Sequence, residues 1–205
     1  MPDKTTARST YHHGDLRAQL IAAVRDLVES HGPDGFSVAE AARRAGVSSA
    51  APYKHFRDRP ELLRAVAAEG MDRLRAAMEA GCARHPAGSI EAVAAIGQAY
   101  VDFARGGPGV FRLVFGLTEG HAADTQLQGK GWNCFSVLLQ AVARVIGLSE
   151  GHPQVQERAY MLWATVHGHS FLTIDGKTTG KFAPGADWPM LMQVAAAILR
   201  DGRAA

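Results

Sequence analysis

Apolar side chains recur at three- and four-residue steps through most of the chain, and no stretch alternates with the two-residue period of a half-buried strand. This pattern predicts an all-α protein. From 14 to about 30, Leu16, Leu20, Val24, Leu27 and Val28 make one apolar stripe, and Gly32, Pro33 and Gly35 end it. Ser37, with Glu40 three residues later, predicts a second helix opened by a reciprocal capping box, and Gly46 falls where a left-handed C-cap belongs. Ser48 is placed to cap a third helix reaching Phe56. Asp58, Pro60 and Glu61 signal a fourth, which Leu63, Val66, Gly70, Leu74 and Ala77 carry on one buried face to about Arg84. Beyond the break at 85–88, further helices are predicted over 89–104, 108–116, 125–147, 153–175 and 187–201. Glycine- and proline-rich turns, such as Gly106-Gly107-Pro108, separate them.

Residues 37–56, S-V-A-E-A-A-R-R-A-G-V-S-S-A-A-P-Y-K-H-F, stand out as a unit. Val38, Ala41, Ala42 and Ala45 put small apolar groups on one helix face, which allows a second helix to cross closely. Gly46 makes the bend, and Val47 is placed to plug the core beneath it. Two short helices joined by a tight glycine turn are a helix-turn-helix, whose second helix enters the major groove of DNA. Short helices and a glycine alone would equally suit an ordinary helical hairpin.

The residues beyond the turn decide between these readings. A-G-V-S, A-P-Y-K-H-F and then Arg57-Asp58-Arg59-Pro60-Glu61-Leu62-Leu63 closely resemble the N-terminal domain of TetR-family regulators, in order and spacing from about Leu16 to Leu74. The resemblance includes the "His-Gly-Asp-Leu" and "Gly-Phe-Ser-Val" stretches before the second helix. It implies an N-terminal three-helix DNA-binding domain over 14–60, preceded by an arm at 1–13. A long helix then joins this domain to a helical effector-binding and dimerisation domain over 61–205. DNA contacts are expected from Ser48 and Ser49 at the start of the recognition helix, where free N–H groups and hydroxyls can meet phosphate. Tyr53, Lys54, His55 and Arg59 follow, with Arg43 and Arg44 flanking from the second helix. Ala50 and Ala51 replace the Gly-Thr of many relatives. Either a methyl contact to thymine or no side-chain readout fits them. Phe56 is expected in the core.

In the C-terminal half, Trp163, His167 and Gly168 resemble the Trp-His-Gly branch of the family. That likeness implies that the last two helices pair with their counterparts in a homodimer. Leu162, Val166, Thr173, Leu191, Val194, Ala195 and Ile198 are expected at this interface, and Gly168 would permit close approach. His167, Asn133 and Tyr100, with Gln98 and Arg112, are polar groups on apolar helices that could line an effector cavity. Its walls are expected from the helices at 89–104, 108–116, 125–147 and 153–175. For His167 and His169 a buried imidazole bonded to a backbone carbonyl is the competing reading.

Composition narrows the function further. A formal charge of +2 means that DNA affinity must come from a local basic patch. There is no apolar run of membrane length and no signal-peptide pattern, so a cytoplasmic protein is expected. Cys82 and Cys134, far apart among apolar neighbours, read as free thiols. No nucleophile–base set, phosphate loop or metal-ligand spacing is present, and the adjacent His12 and His13 lack a third ligand. Enzyme chemistry through His167 or His169 is therefore disfavoured, and no metal or cofactor is called for. The expected partners are a palindromic DNA operator, a small-molecule effector and a second copy of the chain. A ligand-free architectural DNA-binding protein is the alternative, and it predicts a filled C-terminal core.

Overall fold

The computed structural model describes residues 16–116, 124–180 and 185–200. The arm at 1–13, with His12 and His13, lies outside the described residues. Among those described, all regular structure is helical: α1 (Leu16–His31), α2 (Val38–Arg44), α3 (Arg59–Cys82), α4 (Ile90–Gly106), α5 (Pro108–Gly116), α6 (Thr125–Ile146), α7 (Pro153–Ile174) and α8 (Asp187–Arg200), with a 3₁₀ turn at Pro52–Lys54.

Helix starts follow the capping chemistry in the sequence. Ser37 Oγ accepts from the Glu40 N–H at 3.1 Å, Asp58 Oδ1 from Glu61 N–H at 2.7 Å, and Ser89 Oγ from Ala92 N–H at 3.1 Å. The Glu40 carboxylate turns instead toward Arg43, 3.8 Å away.

The segment after Gly46 departs from expectation. Residues 48–56 are not a continuous α-helix. Pro52 has no N–H, so the bond that would close on the Ser48 carbonyl is missing, and Ala51 N–H takes that carbonyl at 3.0 Å. Lys54 and His55 then donate three residues back, to the Ala51 and Pro52 carbonyls at 3.2 and 2.9 Å. A contracted turn, anchored by buried Pro52 and Phe56, takes the helix's place.

α1 wraps its stripe of Leu20, Val24, Leu27 and Val28 over the first half of α3, where Leu62 and Val66 are fully buried. The second half of α3 packs on α4 and α6, and one apolar cluster runs continuously from Leu20 to Leu199. Two glycines let α3 lie close to its neighbours. A Cβ at Gly70 would sit 2.9 Å from Val110 Cγ1, and one at Gly81 would sit 2.9 Å from the Ala95 carbonyl oxygen. Leu162, Val166 and Thr173 of α7, and Leu191 and Ala195 of α8, are buried inside the protomer. This corrects the expectation that they form the outer face: each helix turns its most apolar stripe toward its own core.

The glycines around α5 serve a different contact. Glu29, near the end of α1, accepts from the Gly109 N–H at 2.8 Å and from the Val110 N–H at 2.9 Å. Its two carboxylate oxygens thus cap the free N–H groups of α5, where the helix dipole also favours a negative charge. A Cβ at Gly109 would lie 2.7 Å from the Val28 carbonyl oxygen, so only glycine admits α1 this closely. Gly109→Ala is expected to cost roughly 1–3 kcal/mol through backbone overpacking, lowering the Tm by about 2–4 °C per kcal/mol. Gly129→Ala, whose Cβ would meet nothing within 4 Å, should not lower it. Thermal melts followed by circular dichroism test the pair.

Candidate DNA interface and effector cavity

On the turn that replaces the recognition helix, Ser48, Ser49, Ala50, Tyr53, Lys54 and His55 are all exposed, with Tyr53 60% accessible. Pro52 and Phe56 face inward. The surrounding cations differ in how free they are. Lys54 makes no ion pair among the described residues, and Arg43, 81% exposed, is loosely paired with Glu40. Arg44 lies 3.5 Å from Asp26. Arg57 is folded back on Glu61, whose carboxylate accepts its N–H at 2.7 Å and its Nε–H at 3.2 Å. The backbone bond first, then the guanidinium, holds the Glu61 carboxyl below its ordinary value. Arg59 is more occupied still. It donates to the Pro33 carbonyl, lies 3.5 Å from Asp34 and stacks 4.8 Å from the centroid of Phe36. The sequence places Arg59 at a phosphate-contacting position, whereas in the fold it ties the start of α3 to the turn after α1.

The C-terminal helices enclose a cavity of about 470 Å³. Besides α4 to α7, α3 contributes Met71, Leu74 and Met78, and α8 contributes Leu191, Val194 and Ala195. The last two groups of wall residues were not anticipated, because α3 and α8 read as a connector and an interface. Small residues make the room: Ala94, Gly97, Gly131 and Ala195 stand in the wall.

Of the polar residues expected there, Tyr100 lines the cavity. Its hydroxyl lies 2.8 Å from His167 Nδ1 and accepts from Trp163 Nε1 at 3.4 Å. His167 stands behind Tyr100, outside the lining, within a cage of aromatic rings: Phe115 at 4.8 Å, Phe171 at 5.0 Å, Trp163 at 5.6 Å and Phe111 at 5.8 Å between centroids. Burial lowers its pKa and keeps the imidazole neutral, and burial likewise raises that of Tyr100. Neither of the competing readings for His167, a carbonyl-bonded core histidine or a direct ligand contact, describes this arrangement.

The other expected lining residues lie elsewhere. Asn133 is exposed in a separate groove between α3 and α6 that includes Arg75, Glu79 and Arg144. It is one residue from the inward-facing Cys134, and the 100° step of the helix turns it away. Gln98 bonds Asp102 at 3.0 Å, and Arg112 bonds Asp175 at 2.7 Å.

A buried ionic cluster was missed in the sequence. Asp187, with its side chain 1% exposed, lies 2.8 Å from His169 Nε2 and accepts from Arg105 Nη2 at 2.7 Å, joining α4, α7 and α8. Burial pushes its carboxyl up, but the bonds from His169 and Arg105 outweigh that and hold it below the ordinary value. Nothing local in the sequence announces partners 18 and 82 residues away. Cys134, buried and donating to the Met71 carbonyl, has its thiol pushed up to about 11, chiefly by burial. Cys82 and Cys134 are both free. Among the described residues, no three His, Cys, Asp or Glu side chains gather as a metal site, and no helix is long and apolar enough to cross a membrane.

Comparison with known proteins places this architecture. Residues 20–66 match the family of bacterial regulatory proteins named for tetR, and residues 93–198 match the tetracyclin repressor-like C-terminal domain. The chain belongs to the TetR family. It is a transcriptional regulator with a DNA-binding N-terminal part and a ligand-binding C-terminal part. A protein of unknown function from Rhodococcus sp. RHA1 is similar in structure, with a TM-score of 0.78 at 30% identity over 95% of this chain and 98% of that one. A transcriptional regulator from the same organism gives 0.70 at 24%, over 92% and 98%. The fold is also shared with FadR of Bacillus subtilis, solved with stearoyl-CoA, at 0.69 and 15% over 89% and 97%. Among curated proteins, no sequence matches this chain.

The shift at His167 sets a pH dependence. A folded imidazole that resists protonation is matched by an unfolded one that takes a proton near pH 6.5, so the unfolded state gains protons first. Stability is therefore full above about pH 6.5 and falls as the pH drops below it. His167→Phe should shrink the loss in Tm between pH 8 and pH 5.5. An unchanged loss would assign that dependence to another group.

Proposed function

We propose that this TetR-family regulator is a homodimeric repressor, working in the cytoplasm, that holds a pseudo-palindromic operator until a largely apolar effector fills the cavity. The observation that carries this reading is the double attachment of α5. Its C-terminal end supplies Val114 and Phe115 to the cavity wall, while its N-terminal end is clamped by Glu29 of α1. A ligand that moves the wall therefore moves the helix on which the DNA-binding unit rests. To lower operator affinity, the effector must bind the displaced state about tenfold better for each ~1.4 kcal/mol lost. The open cavity favours this over an architectural role, which calls for a filled core.

DNA contact is assigned to Ser48, Ser49, Ala50, Tyr53, Lys54 and His55, with Arg43 and Arg44 at the flank. The domain limits we adopt are 14–60 and 61–205. Trp163, His167 and Gly168 support a place in the Trp-His-Gly branch. For the dimer, α7 offers Met161, Ala164, Gly168 and Leu172, all exposed on one side of the helix, and a Cβ at Gly168 would meet nothing within 4 Å. These residues replace Leu191 as the proposed contact surface.

Operator selection followed by footprinting should yield two half-sites about one helical turn, roughly 34–36 Å, apart. A lone half-site bound by a monomer would refute the dimeric reading. Met161→Asp combined with Leu172→Asp should give a monomer in sedimentation and lose operator binding. Lys54→Ala should lower the slope of log affinity against log salt by about one unit. Arg59→Ala should mainly lower the Tm, since its guanidinium is committed within the fold.

A further inference from the structure

We propose that the cavity takes an uncharged, largely apolar ligand bearing one hydroxyl or carbonyl oxygen, and that this oxygen meets the Tyr100 hydroxyl. The proposal rests on the cavity being the effector site.

Among the described residues, the wall contains no Asp, Glu, Lys, Arg or His. A carboxylate or ammonium group drawn inside would give up its hydration with no opposite charge to replace it. The entrance is no better suited to an ion. The exposed lining residues Trp132, Tyr160, Gln128 and Thr165 carry no charge, and the nearby Lys130 ammonium is tied to Asp72 at 2.6 Å.

The polar atoms of the wall are also largely spent. Cys134 Sγ donates to the Met71 carbonyl at 3.3 Å, and Thr165 Oγ1 donates to the Met161 carbonyl at 2.8 Å. Tyr100 remains. A phenol has one proton to give and two lone pairs. Trp163 Nε1–H can only donate and takes one lone pair. His167 Nδ1 takes either the proton or the second lone pair, according to its tautomer. In both cases one hydrogen-bonding position of the hydroxyl is left. A ligand hydroxyl satisfies either case, and a carbonyl satisfies the one in which the phenol proton is free.

Three probes with one skeleton separate the contributions: n-dodecane, 1-dodecanol and dodecanoate. Each is titrated into the full chain at pH 8, with intrinsic fluorescence as readout because Trp132 and Trp163 stand in the wall. Dodecanol is expected to bind at least about tenfold more tightly than dodecanoate. Tyr100→Phe should weaken dodecanol about fivefold and leave dodecane unchanged. Dodecanoate binding as tightly as dodecanol, or dodecanol binding indifferent to Tyr100→Phe, overturns the proposal while dodecane binding preserves the effector site. If dodecane itself does not bind, the effector-site reading fails and the proposal falls with it. Should Tyr100→Phe not fold, the ratio of dodecanol to dodecanoate in the unaltered chain decides.

Discussion

The seating of α5 between two parts of the molecule is the contact on which the rest depends. Glu29 reaches across from α1 and caps the first free N–H groups of α5 with both carboxylate oxygens. Gly109 removes the side chain that would hold the two backbones apart, and Gly70 of α3 leaves room for the side chains of Val110 and, one turn further on, Val114. Without these contacts, a nine-residue helix would be marginal by itself. With them it is a rigid strut, one end on the DNA-binding unit and the other in the cavity wall. Packed interiors transmit displacement because they do not deform smoothly, and α5 is placed where that property is useful.

The second feature is an interior that keeps space open. Protein cores ordinarily pack to crystal-like density, and voids cost stability. Here Ala94, Gly97, Gly131 and Ala195 stand where larger side chains would close a volume of about 470 Å³. Polar groups next to that space are paired among themselves: Tyr100 with His167 and Trp163, and Cys134 with the Met71 carbonyl. The charged cluster of Asp187, Arg105 and His169 is not part of the wall and fastens the start of α8 to α4 and α7. The cavity is thereby framed by ionic and hydrogen-bonded ties while its own surface stays apolar.

Much of this was legible along the chain. The helices fall within a few residues of their periodic stripes, because each stripe is a local consequence of 3.6 residues per turn. Caps such as Ser37, Asp58 and Ser89 act within three residues, so they too could be read. The helix at 48–56 failed on one residue. The missing N–H of Pro52 is plain from the residue type, but its effect on the whole short segment depends on how Pro52 and Phe56 are buried beneath it. Asn133 failed for another reason: apolar neighbours in sequence do not say which way a side chain faces once the helix is docked.

The sequence by itself determined the all-α class, where every helix but the one expected at 48–56 begins and ends to within a few residues, and that 37–63 carries the signature of a TetR-type DNA-binding unit. These follow from periodicity, capping and motif spacing, which act over a few residues. Only the tertiary structure decided that Glu29 caps α5, that Arg59 is spent on Pro33 and Phe36, that Asp187 finds Arg105 and His169, and that Leu191 lines a cavity. Each of these pairs groups far apart in the chain. Which partners a carboxylate, a guanidinium or a leucine meets is set by how the helices cross, and helical periodicity says which face is apolar but not what that face will meet.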